Sequence, residues 1–294
     1  MNKPLIVLVP DSKGWAFDNR CNALIEYLSN DFDFVKIYIK ETGNIDYKNV
    51  DLIYYPGYYQ IGSKSDAVYE YIDRTKRVTS ISGWVRYSLN QVINFTDKAI
   101  ACSVMNHHFE NRIKGKTKSK VYFIPNGVDE KLFSVMPDPK NEKFTIGWAG
   151  NDLHNGKRVG EIKKVVDSMP DIELLTQKKR DFIPHDQMPT FYRKLDCYCS
   201  VSVSEGCNNP LLEASACGIP LISTRTGVAS DLVGKDGGTL LKDDLSNLKD
   251  AILKVKDMNR EKVSAVLRER ILADFTWKKM TMRYKEMFNF ALGE

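Results

Sequence analysis

The sequence predicts an α/β protein of two Rossmann-like domains with parallel sheets. Three observations carry this. Short apolar runs of strand length alternate with amphipathic helical patterns along the chain. The length, 294 residues, fits two ordinary cores better than one very large one. Hydrophobic content of 43% and charged content of 28% are those of a globular enzyme. The net charge of +5 is shared by both halves, so neither half is a polycation and bulk charge gives no argument for a nucleic-acid partner.

The first half opens on Leu5–Val9, a continuous apolar run expected of a strand buried on both faces. A loop through Gly14 and Trp15 follows. Asp18 is expected to cap a helix whose apolar positions are Cys21, Leu24, Ile25 and Leu28. Strands are expected at Val35–Ile39, Leu52–Tyr55, Arg77–Ile81, Lys98–Cys102 and Val121–Ile124. Helices are expected near Lys64–Asp73, near Val85–Ile93 and at Val104–Ile113. Four tyrosines, Tyr54, Tyr55, Tyr58 and Tyr59, surround a turn, and either offer aromatic faces to a sugar or close the core. From Arg112 to Lys120 five basic residues occur without an acid. That stretch reads as a solvated loop or as a peripheral contact with an anionic membrane surface.

Ile124-Pro125-Asn126-Gly127-Val128-Asp129 contains a tight-turn signal with no return strand after it. It is therefore read as closing the first domain, assigned to residues 1–137, with a linker at Asp138–Glu142. The second domain, 138–275, is expected to run strand Phe144–Ala149, loop Gly150–Arg158, a helix to Ser168, strand Ile172–Thr176, helix Met188–Leu195 and an apolar stretch Leu195–Val203. It continues with strands Pro220–Ser223 and Gly237–Leu241 and helices Leu245–Lys256 and Arg260–Asp274. A last helix, 276–294, presents Trp277, Met280, Tyr284, Met287, Phe288 and Ala291 on one face.

The six cysteines have neither paired Cys-x-x-Cys units nor a secretory spacing, and read as reduced packing residues. The N-terminal apolar run is shorter than a signal sequence core, and no stretch approaches a membrane span. These features imply a cytoplasmic protein.

The chemistry centres on Glu205-Gly206-Cys207-Asn208-Asn209-Pro210-Leu211-Leu212-Glu213. Asn209 followed by Pro210 reads as an N-cap and a first-turn proline, so a loop and then a helix start here. Free amides at a helix start favour an anion. Two carboxylates beside such a start suit a ligand with hydroxyls on either side of a phosphate, and a nucleotide sugar is such a ligand. Glu205 and Glu213, followed by Ala214, Ala216, Gly218 and Pro220, resemble the signature of the retaining glycosyltransferases of family 4, which have the GT-B fold.

The resemblance implies two Rossmann-like domains facing an interdomain cleft, with the C-terminal helix crossing back to the first domain. It implies that Glu205 contacts the donor sugar and Glu213 the ribose, with backbone amides at Asn208, Asn209 and Leu211 meeting sugar and diphosphate. The family's Pro-Asn-Gly-Val-Asp run is matched at Pro125–Asp129, which brings Asn126 to the cleft. Lys157 matches a diphosphate-gripping lysine beside the Gly150 loop. Asn151 stands where relatives carry an arginine, leaving Arg158 as its substitute. The Thr226 loop faces the same cleft in the family. Gly14 stands where relatives usually have paired glycines, Trp15 either lines the acceptor site or packs, and Ser82 lies where many relatives place a histidine nearby. His107 and His108 read as early helix residues at a sheet edge. Glu205 and Lys157 are the expected catalytic pair. The resemblance implies a nucleotide-diphosphate sugar as donor, a glycan, lipid-linked or small-molecule acceptor, no cofactor and no metal. Two alternatives are a non-catalytic nucleotide-sugar-binding protein and a nucleotide-sugar epimerase. The second needs an acid and base set that the first domain does not present.

Overall fold

The computed structural model describes residues 3–44, 47–66, 72–83, 87–137, 139, 141–181 and 183–294. Contacts divide the chain into one unit of residues 1–126 with 277–294 and another of 127–276. The division falls ahead of the 137/138 boundary read from the sequence, because Phe133 is fully buried with its ring against Tyr192 of the second unit.

In the first unit six parallel strands run β1 (Leu5–Leu8), β2 (Asp33–Lys36), β3 (Leu52–Tyr55), β4 (Arg77–Ile81), β5 (Ala101–Val104) and β6 (Lys120–Phe123), ordered β2-β1-β3-β4-β5-β6. Its helices include α1 (Ala16–Leu28), α2 (Leu89–Thr96) and α3 (His107–Ile113). In the second unit β7 (Phe144–Gly150), β8 (Ile172–Lys178), β9 (Cys197–Ser200), β10 (Leu221–Ser223) and β11 (Gly238–Leu240) form a parallel sheet ordered β11-β10-β9-β7-β8. Its helices include α4 (Val159–Val166), α5 (Met188–Tyr192), α6 (Asn209–Ala216), α7 (Ala229–Val233), α8 (Leu248–Lys256) and α9 (Arg260–Asp274). The chain then rejoins the first unit in α10 (Trp277–Leu292). In both sheets the first strand lies between the second and the third. Ligands of doubly wound sheets bind at that reversal, outside the carboxyl ends of the strands.

The strands that carry each core are buried throughout, since parallel strands are covered on both faces. Every residue of β3, β5 and β9 is buried. Met280, Tyr284, Met287 and Phe288 of α10 are fully buried with Ile6, Leu8, Leu24, Leu28 and Tyr54. At roughly 1.5–3 kcal/mol per fully buried large side chain, this face alone fixes the last helix to the first unit. All six cysteines are buried and free.

Several boundaries differ from the sequence reading, each for a local reason. The first helix starts at Ala16, and Asp18 acts from inside it: its carboxylate accepts the Gly14 amide at 2.9 Å. The second strand stops at Lys36, because Ile39 already opens a 3₁₀ turn. Lys98 and Ala99 close a turn behind α2 (amides onto Phe95 and Thr96 carbonyls), so β5 begins at Ala101. Ser88 and Gln91 form a capping box that starts α2 at Leu89, while 85 and 86 of the expected helix lie outside the described residues. The helix expected near Lys64–Asp73 falls largely on 67–71, also outside them. Leu195 turns back onto Tyr192 and ends α5 early. Leu245 has a left-handed backbone (φ 59°), which delays α8 to Leu248. The short α7 carries no period of its own and was not expected. Tyr54, Tyr55 and Tyr58 are core residues, leaving only Tyr59 with its ring partly exposed, so the cluster closes the core. Among the described residues no helix is long and apolar enough to cross a membrane.

The carboxyl rim of the first sheet is gathered by one buried cation. Arg20 of α1, 1% exposed, donates Nε and Nη2 to Asn126 Oδ1 (3.2 and 2.8 Å), and Nη1 to Ser82 Oγ (3.0 Å), Tyr54 Oη (3.2 Å) and the Pro56 carbonyl (3.4 Å). Those acceptors lie on or just past β3, β4 and β6. A planar guanidinium with five donors is suited to bind them at once. Arg20→Ala is expected to leave several buried acceptors unsatisfied at about 1–3 kcal/mol each. A urea melt should show a loss of about 3 kcal/mol or more, and Arg20→Lys should recover only part of it.

Candidate active site

The second unit brings three loops together at the reversal of its strand order. They follow β7 (Gly150–Arg158), β9 (Val201–Asn208) and β10 (Thr224–Val228). The Val203 amide donates to the Gly156 carbonyl at 2.8 Å, and Thr224 Oγ1 to the Ser202 carbonyl at 2.7 Å. Gly227 has φ +60°, and a Cβ there would stand 3.2 Å from Glu205 Cβ and 3.3 Å from the Gly206 oxygen. Only glycine lets the third loop lie so close to the second in that backbone conformation.

Lys157 ends a 3₁₀ turn, and Arg158 behind it adopts a left-handed conformation (φ 51°) from which α4 begins. These adjacent cations are used differently. Arg158 donates Nε to the Val201 carbonyl at 2.6 Å and Nη1 to the Asp243 carbonyl at 2.9 Å, tying the loop to the end of β9 and the stretch after β11. Lys157 Nζ forms an ion pair with Glu205 Oε1, with side chains 26% and 11% exposed. Asn151, at the arginine position, serves a turn: its Oδ1 accepts the Leu153 amide at 3.2 Å and its carbonyl the His154 amide at 3.1 Å. Gly150 is the last residue of β7. Thr226 holds its amide on the Thr224 carbonyl at 2.8 Å, beside Glu205's loop.

At the start of α6 the cap is Asn208, one residue earlier than the sequence suggests, with Asn209 and Pro210 in the first turn. Asn208 has φ 20°, a sparsely populated conformation whose strain other contacts must offset. Its Nδ2 reaches Ser200 Oγ at 2.7 Å, which anchors it to β9. The Leu211 amide is turned back onto the Asn208 carbonyl at 3.0 Å, so it is spent within the helix start rather than offered to a ligand. The start of α6 still carries the positive end of the peptide dipoles.

Glu213, 6% exposed, lies on α6 with both carboxylate oxygens engaged. Oε1 is 3.1 Å from His185 Nε2, and Oε2 accepts from Tyr192 Oη at 2.6 Å. His185 is half-exposed, with its ring edge-on to Phe133 at 5.2 Å. The hydrogen bond to Glu213 lifts its pKa above the ordinary 6.5, against the opposing effect of burial. Burial first, then the Glu213 charge, pushes the Tyr192 phenol well above its usual range, so it stays a donor.

Of the residues expected in the site, Lys157, Glu205 and the Thr226 loop are brought together, and Asn208, Asn209 and Glu213 follow from the same loop into α6. Gly14, Trp15, Ser82 and Asn126 belong to the first unit. There Gly14 (φ 75°) and half-exposed Trp15 open α1, and Ser82 and Asn126 are acceptors of Arg20. Sequence reasoning missed His185 and Tyr192. His185 follows Pro184 in an aperiodic turn and Tyr192 reads as an apolar helix position, so no spacing signal links either to Glu213.

Residues 140–257 match the model of the family described as Glycosyl transferases group 1. An uncharacterized glycosyltransferase of Methanocaldococcus jannaschii is 26% identical over 234 residues, 71% of this chain and 63% of that protein. A probable sucrose-phosphate synthase of Thermosipho melanesiensis is 27% identical over 201 residues, 57% of this chain and 47% of that protein. The matched parts thus span less than two thirds of either relative. Among solved structures, a sucrose-phosphate synthase from Thermosynechococcus elongatus superposes with a TM-score of 0.75 at 14% identity, covering 99% of this chain and 100% of that one. Anabaena HepE, solved with UDP and glucose, gives 0.70 at 13% identity, covering 98% and 100%. The fold is GT-B, with two Rossmann-like α/β domains.

The His185–Glu213 pair makes stability depend on pH in a definite direction. A histidine whose pKa is raised by folding contributes stability that is complete below its unfolded value near 6.5 and is lost as pH rises through the raised value. The melting temperature of wild type minus that of His185→Gln should be largest at mildly acidic pH and shrink in alkaline buffer. Thermal melts across that range measure it.

Proposed function

We propose that the chain is a retaining glycosyltransferase of family 4 that moves a sugar from a nucleotide-diphosphate sugar to a hydroxyl acceptor. The observation that carries this reading is the contact of Lys157 with Glu205 beside the start of α6, with Glu213 in the second turn of that helix. A cation and a helix start suit a diphosphate. A carboxylate beside them suits sugar hydroxyls, and a second, along the helix, suits ribose.

Transfer breaks the bond between the anomeric carbon and the diphosphate oxygen, so negative charge grows on the leaving group. In this reading Lys157 and the start of α6 would meet that charge, and such preorganised charge stabilises a transition state without reorganisation. Lys157 leaves Glu205 for the phosphate as the donor enters. With that contact opened, Glu205 would accept sugar hydroxyls. Arg158 holds the loop through Nε and Nη1 and would offer Nη2 to the diphosphate beside Lys157. The reading invokes no metal.

The acceptor, a glycan, a lipid-linked sugar or a small molecule, would meet the first unit near Gly14, Trp15, Ser82 and Asn126. The stretch from Arg112 to Lys120 keeps Lys116 and Lys118 exposed, whereas Lys114 pairs with Glu110 at 3.1 Å and Lys120 lies 4.1 Å over the Phe290 ring. At roughly 1 kcal/mol per basic residue near an anionic surface, it would support peripheral contact with the inner face of a membrane by a cytoplasmic enzyme. A non-catalytic nucleotide-sugar binder is the second reading, favoured by Asn151 at the arginine position.

Anabaena HepE was solved with UDP and with UDP-glucose, so these head the first panel of nucleoside diphosphates and nucleotide sugars to be scored by thermal shift. A donor at 100 times its dissociation constant should stabilise the protein by about 2.7 kcal/mol. Glu213→Ala should erase the shift. Glu205→Ala should cut transfer or slow donor hydrolysis by about a hundredfold or more. A binder alone would bind the donor without hydrolysing or transferring it.

A further inference from the structure

We infer that Tyr192 and His185 are positioning residues that clamp the Glu213 carboxylate, and that this clamp makes the site read the cis-diol of a ribonucleotide. The inference rests on the donor reading above and adds the two residues that set selectivity for ribose over 2′-deoxyribose.

The geometry is specific. An ionised carboxylate has about four acceptor positions, two on each oxygen. Tyr192 Oη takes one on Oε2 at 2.6 Å, and His185 Nε2 takes one on Oε1 at 3.1 Å. One further position per oxygen is left for a ligand. The terminal torsion of a glutamate is broad and soft, so an unclamped Glu213 could turn toward a single hydroxyl wherever it lay. Held at both oxygens, the plane is fixed. Two neighbouring hydroxyls can then donate to the two oxygens together, whereas a 2′-deoxyribose donates to one and leaves the other short of a partner in a desolvated place. Sites built to bond a hydroxyl reject the analogue lacking it for that reason.

The clamp is rigid at its buried end and accessible at the other. Tyr192 is fully buried, with its ring against Phe133 at 5.9 Å and Tyr198 at 6.2 Å, so its hydroxyl has a fixed origin. His185 is half-exposed, braced by Phe133 and within reach of a ligand that approaches Glu213. Neither residue supplies charge to the departing diphosphate in the proposed mechanism. Their action is on the orientation of Glu213.

The test is calorimetric titration of the wild type with UDP, GDP and ADP, each paired with its 2′-deoxy counterpart, followed by Tyr192→Phe, His185→Ala and His185→Gln. The wild type should prefer the ribonucleotide by about tenfold or more, the worth of one charge-assisted hydrogen bond. Tyr192→Phe and His185→Ala should shrink that preference to about threefold or less, and His185→Gln, which keeps a donor, should restore most of it. A wild type that binds both sugars equally overturns the inference while leaving nucleotide binding intact. Variants that weaken both ligands at an unchanged ratio overturn it too, since a merely structural role predicts that outcome. If Tyr192→Phe does not fold, the two His185 variants decide alone. If none of the six nucleotides binds the wild type, the donor reading fails, and this inference with it.

Discussion

The order of the parallel strands is the constraint on which the rest depends. In each sheet the first strand lies between the second and the third, so connections leave the carboxyl ends in opposite directions and a gap opens between them. Backbone there has no neighbour to pair with and must be satisfied by loops or ligand. In the second unit the answer is a set of cross-loop bonds, Val203 to Gly156 and Thr224 to Ser202. Those bonds carry Lys157 to Glu205 across 48 residues of sequence.

Arginine fulfils a similar duty at the strand ends of both units. Arg20 collects neutral acceptors at the ends of β3, β4 and β6, and Arg158 collects the carbonyls of Val201 and Asp243. A guanidinium keeps its charge when buried and spreads it over several donors, which an ammonium cannot do as readily. This explains why two adjacent basic residues divide the labour. The left-handed backbone at Arg158 turns its side chain to the strand ends, and Lys157, with a flexible stem and a point charge, is the one that changes partners in the proposed mechanism.

The sequence made the fold legible because parallel strands buried on both faces read as plain apolar runs, and because α10 repeats its apolar positions without interruption. Arg260–Asp274 was read to the residue, since Asn259 caps it and no left-handed residue intervenes. Boundaries failed where a side chain acted over a few residues: Asp18 receiving Gly14 from inside its helix, or Leu245 adopting φ 59°. In the site, Glu205 and Glu213 were legible as a spaced pair with Pro210 between them. The clamp on Glu213 was not, because it joins residues 28 and 21 positions apart, and hydrogen bonds between distant elements leave no period. Arg158 shows the complementary failure. Its type and position fit phosphate, but only the conformation of the loop says that Nε and Nη1 also tie the loop to the Val201 and Asp243 carbonyls.

The two carboxylates of the candidate site are partnered by different means, and in the proposed mechanism this orders events on binding. Glu205 leans on a lysine that is itself a candidate ligand of the donor, so the pair must open before either group can act. Its partial exposure keeps that cost low, since water stabilises both charges as they separate. Glu213 is more deeply buried, and its partners are a phenol held protonated and an imidazole that the carboxylate itself makes more basic. Neither needs to leave. In the proposed mechanism one carboxylate thus exchanges partners where charge would move during reaction, and the other stays fixed where recognition would require an unchanging geometry. The soft site and the stiff site are both set by α6 and the loop that leads into it.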